Sequence, residues 1–167
     1  MAVLCVLLAA ACCFDYKCRR IPNWLVALTA VTGVLWRFSR GGAWEAGVYA
    51  GTAALVMFLF YFLFKVGAVG AGDVKLLGVA AGYLPFGKIL AFLFFSLLIA
   101  AMVSLAKMAA KGYFLERMVY LLGYLRDVAK SGRWKLYLDA EQDRRAVGIC
   151  LSGPVLASVL LYMGGIY

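Results

Sequence analysis

The chain contains no histidine among its 167 residues, and this absence excludes several kinds of catalytic site. A zinc protease of the H-E-x-x-H type needs two histidine ligands, and many serine and cysteine proteases need a histidine base. The five cysteines include no C-x-x-C pair, and four of them cluster near the first apolar stretch, which argues against a zinc site or a disulfide framework. Acid–base catalysis by carboxylates is the enzymatic option that remains.

Charged residues are also scarce, at 15% of the chain, whereas hydrophobic residues make up 66% and the mean hydropathy is +0.92. This composition lies outside the range of soluble domains and is typical of an integral membrane protein. Because each helical span takes roughly 20 residues, the chain has room for several spans and little else. We expect an all-α membrane protein with a single membrane-embedded domain over residues 1–167.

Apolar stretches predict a bundle of about six transmembrane helices: Ala2 to Phe14, Trp24 to Trp36, Gly47 to Phe64, Val74 to Leu84, Ile89 to Ala106 and Val147 to Gly164. The first, second and fourth are short for a hydrocarbon core of about 30 Å, so they must tilt, extend into flanking residues or be shielded by neighbours. We expect the first to be a span rather than a secretory signal, because no basic residue precedes it.

The distribution of Lys and Arg predicts the orientation of these spans. If the amino terminus lies outside, only Arg37, Arg40 and Lys88 of the 17 basic residues fall on the outer side. Positive charge collects in short cytoplasmic loops, so this orientation in the inner (plasma) membrane is favoured. Topology and anionic lipid then explain the net charge of +9, and no recognition module indicates nucleic acid as a partner.

The long polar segment before the last span predicts a cytoplasmic amphipathic helix on the inner leaflet. Its apolar side chains recur at helical spacing opposite charged ones, at Phe114, Met118, Leu121, Leu122, Leu125 and Val128. The pattern fits a basic interfacial anchor as well as a surface that holds a partner, and the sequence leaves both interpretations open.

Two of the eight acidic residues stand apart from the rest. Six lie in polar loops, whereas Asp15 ends the first span and Asp73 begins the fourth, where a carboxylate is costly and often functional. The predicted topology brings both to the same, cytoplasmic edge of the membrane. Each alone has a structural explanation, because Asp73 suits a helix amino terminus and Asp15 adjoins Lys17, Arg19 and Arg20.

A pair of close carboxylates can do chemistry that neither group does alone. The two share a proton, so that one pKa rises above the other. The ionised member can deprotonate a water that attacks a peptide carbonyl, while the protonated member polarises that carbonyl and assists the leaving amine. Such a site needs no metal, nucleotide or organic cofactor. Gly70 and Gly72 would permit unusual backbone dihedrals and let an extended substrate strand approach Asp73.

Two motifs carry a resemblance to a known family. Residues 70–77, GAGDVKLL, resemble the G-x-G-D-x-K-L signature of the type IV prepilin peptidases, which are aspartic proteases with an active site in the membrane. Residues 15–23, DYKCRRIPN, resemble the first aspartate of that family, its basic stretch and the Ile-Pro-Asn before the next helix. Two separated motifs in the right order are more specific than one, and with the spans the resemblance extends over most of the chain.

The resemblance implies that Asp15 and Asp73 are the catalytic residues. It implies removal of a short basic leader from prepilin-like precursors at the cytoplasmic face, with a hydrophobic amino-terminal helix of the substrate entering from the bilayer. Lys75 and Asn23 match motif positions, and we expect them to orient or pack the site, with Pro22 at a helix start.

The first loop is much shorter than in the longer prepilin peptidases. Those enzymes carry a cytoplasmic segment with paired cysteines between the first two spans, associated with methylation of the new amino terminus. The resemblance therefore implies a peptidase without methyltransferase activity, similar to the compact enzymes of tight-adherence (Flp-type) pilus systems. Archaeal preflagellin peptidases are similarly small, whereas presenilin-like proteases share G-x-G-D but are larger and surround the first aspartate differently.

Two other classes of function stay open. A small ion- or proton-coupled transporter would use Asp15 and Asp73 to relay ions, and a non-catalytic secretion-assembly factor would keep only the fold. An ion relay favours acids deep within the spans, whereas both aspartates are expected at one edge. Neither the oligomeric state nor the pilin that is processed follows from the sequence.

Overall fold

The computed structural model describes residues 1–18, 21–65, 69–110, 123, 126 and 150–167. Within this part of the chain all regular structure is helical, as the composition predicts. The helices are α1 (Ala2–Cys18), α2 (Asn23–Lys65), α3 (Ala71–Gly82), α4 (Ile89–Ala110) and α5 (Ser152–Met163), with a 3₁₀ turn (Phe86–Lys88) before α4. The predicted amphipathic helix, apart from Gly123 and Arg126, and the first three residues of the sixth apolar stretch lie outside the described residues.

The second and third apolar stretches form one element, α2, that is interrupted at Gly41 and Gly42. Gly42 has φ +66° and ψ −154°, a conformation that residues with a Cβ rarely adopt. The chain turns back at this point. As a result, the ring of Tyr49 in the second half of α2 lies directly against Gly33 in the first half. The helical structure extends beyond the predicted ends of both stretches, as far as the two glycines.

Helix α3 packs against both halves of α2. It runs parallel to the first half, since Lys75 bonds Asn23 near one end and the Tyr83 hydroxyl donates to the Thr29 carbonyl near the other. A side chain on Gly78 would overlap the backbone of the second half, so the two helices approach closely there. The first turn of α3 is thereby held beside the start of α2.

At the carboxyl-terminal end of α3, a guanidinium group joins α3 to both halves of α2. Arg37 donates to the carbonyl oxygens of Gly82 at 3.3 Å and of Leu84 at 2.7 Å, and it forms an ion pair with Glu45 across the turn of α2. Hydrogen bonds from a charged donor are stronger than neutral ones, so this cluster fixes the turn of α2 to the end of α3.

Helix α5 packs antiparallel to α1. The thiol of Cys5 lies 3.3 Å from the sulfur of Met163, whereas at the other end Ser152 bonds Asp15. Helix α5 also contacts α4, where the Ser158 hydroxyl donates to the Phe92 carbonyl at 3.0 Å. The antiparallel arrangement brings the start of α5 to the end of α1.

Two helices in the described residues are long and apolar enough to cross a membrane, Asn23–Lys65 and Phe86–Lys107. Only 28% of the most apolar window of each is buried, so most of these apolar side chains face outward, unlike those of a soluble core helix. The all-α expectation is confirmed for the described residues, and the count of six spans stays a prediction.

Candidate active site

Asp15 lies in the last turn of α1, which extends past the predicted Ala2 to Phe14 stretch as far as Cys18. The buried residues of α1 are Leu4, Leu8, Ala11 and Asp15, whose spacing of three or four residues places them on one helix face. Asp15 therefore continues the apolar stripe of α1 and is only 7% exposed. A carboxylate buried to this extent needs a hydrogen-bond partner.

The partner of Asp15 is Ser152, the first residue of α5. Its hydroxyl donates to Oδ2 of Asp15 at 2.6 Å, and Ser152 is fully buried. The thiol of Cys150 lies 3.7 Å from the backbone carbonyl oxygen of the same aspartate. The end of α1 and the start of α5 thus form one wall of the site.

Ser152 is absent from the sequence-based candidates. The signal that would have found it is positional, because the predicted topology places the start of the sixth apolar stretch at the same membrane edge as Asp15. A hydroxyl near the start of an otherwise apolar helix, facing a buried acid across the bundle, is a natural donor for that acid.

Asp73 lies in the first turn of α3, ahead of the predicted Val74 to Leu84 span, and is partly buried. Burial raises the pKa of its carboxyl from the ordinary 3.8 to about 7, and the charge of Asp15 raises it in the same direction. The backbone N–H of Gly70 opposes this rise by stabilising the ionised form. The influence of Asp15 on Asp73 means that the fold brings the two acids together.

The unusual backbone dihedrals that the two glycines would permit are not adopted at either position. Gly70, at the amino-terminal end of α3, has φ −71° and ψ 149°, which any residue adopts, and Gly72 lies within the helix. A Cβ at position 70 would lie 2.9 Å from Oδ2 of Asp73, so a side chain there would displace this carboxylate. A Cβ on Gly72 would make an ordinary 3.4 Å contact with Ile21. Gly70 therefore lets the Asp73 carboxylate fold back over the start of its own helix.

The other motif residues join α2 to α3 beside the acids. Lys75 donates to Oδ1 of Asn23 at 3.2 Å, which links the start of α2 to the first turn of α3. Pro22 directly precedes α2, and its carbonyl oxygen accepts the N–H of Leu25 at 3.1 Å. These contacts hold the turn that carries Asp73 at the end of the bundle where Asp15 lies.

The sequence profile of the type IV leader peptidase family matches residues 2–105 of the chain. The matched segment covers more than half of the 167 residues and includes both Asp15 and Asp73. The chain belongs to the type IV leader peptidase family. This confirms the resemblance that the two motifs indicated. No curated protein and no solved structure matches the chain.

Membership makes the chain a protease of the aspartic type from a membrane-associated family, in agreement with the two membrane-capable helices found among the described residues. The match to the leader peptidases ends within α4. Helix α5 and Ser152 therefore lie outside the matched residues, and their place at the site follows from the tertiary structure alone.

Proposed function

We propose that this leader peptidase is an intramembrane aspartic endopeptidase in which Asp15 and Asp73 form the catalytic pair. The observation that carries the proposal is that a buried aspartate of α1 acts electrostatically on an aspartate of α3 whose pKa is about 7. Carboxyl groups with unequal surroundings can divide the roles of acid and base between them. Family membership supports peptide-bond hydrolysis as the reaction.

In the proposed reaction one carboxylate takes a proton from a water molecule, whose oxygen attacks the scissile carbonyl carbon. The protonated carboxyl of the other aspartate donates a hydrogen bond to the carbonyl oxygen and then assists proton transfer to the leaving nitrogen as the C–N bond breaks. A pKa of about 7 leaves a large fraction of Asp73 protonated near neutral pH, which supports a pair that holds one proton.

The proposed substrate is a prepilin-like precursor with a basic leader followed by a hydrophobic helix. The proposed location is the inner (plasma) membrane, with multiple spans and the site on the cytoplasmic face. The charge distribution supports this placement. Arg37 and Arg40 lie at the carboxyl-terminal end of the first half of α2, and Asn23, which bonds Lys75 of α3, lies at the opposite end. The connection between α1 and α2 is only residues 19–22, which supports a peptidase without a methyltransferase segment.

The test is coexpression with a precursor that has a basic leader and one apolar helix, followed by measurement of the precursor's size. We expect Asp15→Asn and Asp73→Asn to leave a folded membrane protein, judged by thermal unfolding in detergent, and to abolish cleavage. Glu45→Gln removes a carboxylate at the other end of the bundle and serves as the control that retains processing. Processing near the wild-type level in both Asn variants would contradict the proposal, and a transporter or assembly factor would then be favoured.

A further inference from the structure

We propose that Ser152 is a positioning residue for Asp15 and that its hydrogen bond makes Asp15 the base of the catalytic pair. The inference rests on the proposed peptidase function and adds to it a residue from α5, outside the segment matched by the family profile. It also divides the roles within the pair.

The Ser152 hydroxyl holds one oxygen of the Asp15 carboxylate. Ser152 Oγ lies 2.6 Å from Oδ2 of Asp15, and both residues are buried, so the bond is shielded from competing water. A donor to a carboxylate favours its ionised form. With Oδ2 held by the hydroxyl, Oδ1 is the oxygen through which Asp15 takes a proton from water.

The surroundings of Asp73 fit the complementary role. Asp73 lies at the start of α3, where burial and the charge of Asp15 favour its protonated form. Among the described residues, Asp73 from α3 interacts electrostatically with Asp15, and the Cys150 thiol lies beside the Asp15 carbonyl. A carboxyl that favours its protonated form, beside a carboxylate whose Oδ2 is held by a donor, is the arrangement in which Asp73 acts as the acid and Asp15 as the base.

A purely local role for Ser152 does not explain its contact. Serine at a helix start commonly caps the helix by bonding a backbone N–H of the first turn. In α5 the cap position is Leu151, with no side-chain cap bond, and the Ser152 hydroxyl instead bonds across to α1. Its hydrogen-bonding capacity serves the acid rather than its own helix.

The same helix supplies a matched control. Ser158 is also fully buried in α5, but its hydroxyl donates to the backbone carbonyl of Phe92 at 3.0 Å. Removal of the Ser152 hydroxyl breaks its bond to Asp15, whereas removal of the Ser158 hydroxyl breaks its contacts with Phe92 and with the Tyr167 hydroxyl. Both variants lose buried hydrogen bonding, and of the two hydroxyls only that of Ser152 bonds a proposed catalytic carboxylate.

The experiment measures kcat, KM and the pH dependence of kcat for cleavage of a precursor with a basic leader, using the full chain in detergent. For Ser152→Ala we expect kcat to fall about ten- to a hundredfold, the range for a hydrogen bond to a charged group, with KM little changed. The acid limb of the pH profile should move to higher pH, because loss of a donor favours the protonated carboxyl. Ser152→Thr should restore kcat and the limb, and Ser158→Ala should leave the limb in place.

The outcomes separate this inference from the proposed function. Wild-type kcat and an unmoved acid limb in Ser152→Ala would overturn the role of Ser152, even if Asp15→Asn and Asp73→Asn abolish cleavage. The role of Ser152 would also be overturned if Ser152→Ala and Ser158→Ala lowered kcat equally and neither moved the acid limb. If Ser152→Ala does not fold, Ser152→Thr and Ser152→Val compare side chains of one shape with and without the hydroxyl, and equal activity of these two overturns the inference.

Discussion

The carboxyl of Asp73, at the start of α3, has its pKa raised by burial and by the charge of Asp15, which lies at the end of α1. The two residues come from the two motifs that are separated in the sequence, and the fold brings them near enough for the charge of one to act on the other. Three further predictions follow from this site and from the packing that supports it.

Asp73→Asn should change the pH dependence of stability. Because folding raises the pKa of this carboxyl from 3.8 to about 7, folding opposes its ionisation, and the resulting penalty accumulates between these values and stays constant above them. The full penalty is at most about 4 kcal/mol. Asn carries no charge, so the variant should exceed the wild type in unfolding free energy at about pH 8 and lose this advantage at about pH 4.

The measurement for this prediction is thermal or denaturant unfolding of both proteins in detergent across that pH range. The comparison at about pH 4 serves as the control, because Asp73 is then protonated in the folded state and only partly ionised in the unfolded state, so little of the penalty remains. A difference between variant and wild type that is the same at both ends of the range would contradict the raised pKa.

Gly70→Ala should lower activity without a matching loss of stability. The backbone at position 70 suits alanine, but the new Cβ would lie 2.9 Å from Oδ2 of Asp73 and displace the carboxylate. We expect kcat to fall about tenfold or more, with unfolding free energy within about 1 kcal/mol of the wild type. The measurements are cleavage of a precursor and thermal unfolding of the same preparation.

Two other glycines provide control variants for this prediction. Gly72→Ala should lose less activity than Gly70→Ala, because its Cβ makes only an ordinary contact with Ile21. Gly87→Ala, in the 3₁₀ turn, places its Cβ in open space and should retain wild-type cleavage. Gly70→Ala with wild-type kcat would show that the carboxylate tolerates the added methyl group.

Gly33→Ala should destabilise the turn of α2, whatever its effect on catalysis. A Cβ at this position would overlap the ring of Tyr49, which is 2% exposed and has little room to move. Overpacking of this kind costs about 1–3 kcal/mol. The matched control is Gly51→Ala in the second half of α2, where nothing lies within 4 Å of the new Cβ.

The two α2 variants should change stability in opposite directions. Gly51→Ala replaces a glycine in a helix with the residue of highest helix propensity and should raise the unfolding free energy by up to about 1 kcal/mol. Thermal unfolding in detergent measures both. Equal stability of the two variants would contradict the close packing of Gly33 against Tyr49.

Much of the fold was predictable because its signals are local. Apolar composition and periodicity predicted helices in every described stretch, and the absence of histidine left the acids as the candidate catalytic groups. The spacing of Leu4, Leu8, Ala11 and Asp15 also places this acid on the buried face of α1. The helix that contains the first predicted span continues through Asp15 to Cys18, in line with the expectation that this short span extends into flanking residues.

The amino-acid sequence by itself determined that the chain is helical and apolar and that Asp15 and Asp73 are its two exceptional acids. Only the tertiary structure decided that Ser152 bonds Asp15 and that Asp15 lies near enough to Asp73 for its charge to act on that carboxyl. The physical reason is that helix formation depends on neighbours a few residues apart, whereas these contacts depend on how α1, α3 and α5 pack. No local pattern in α5 specifies which acid its first hydroxyl will meet.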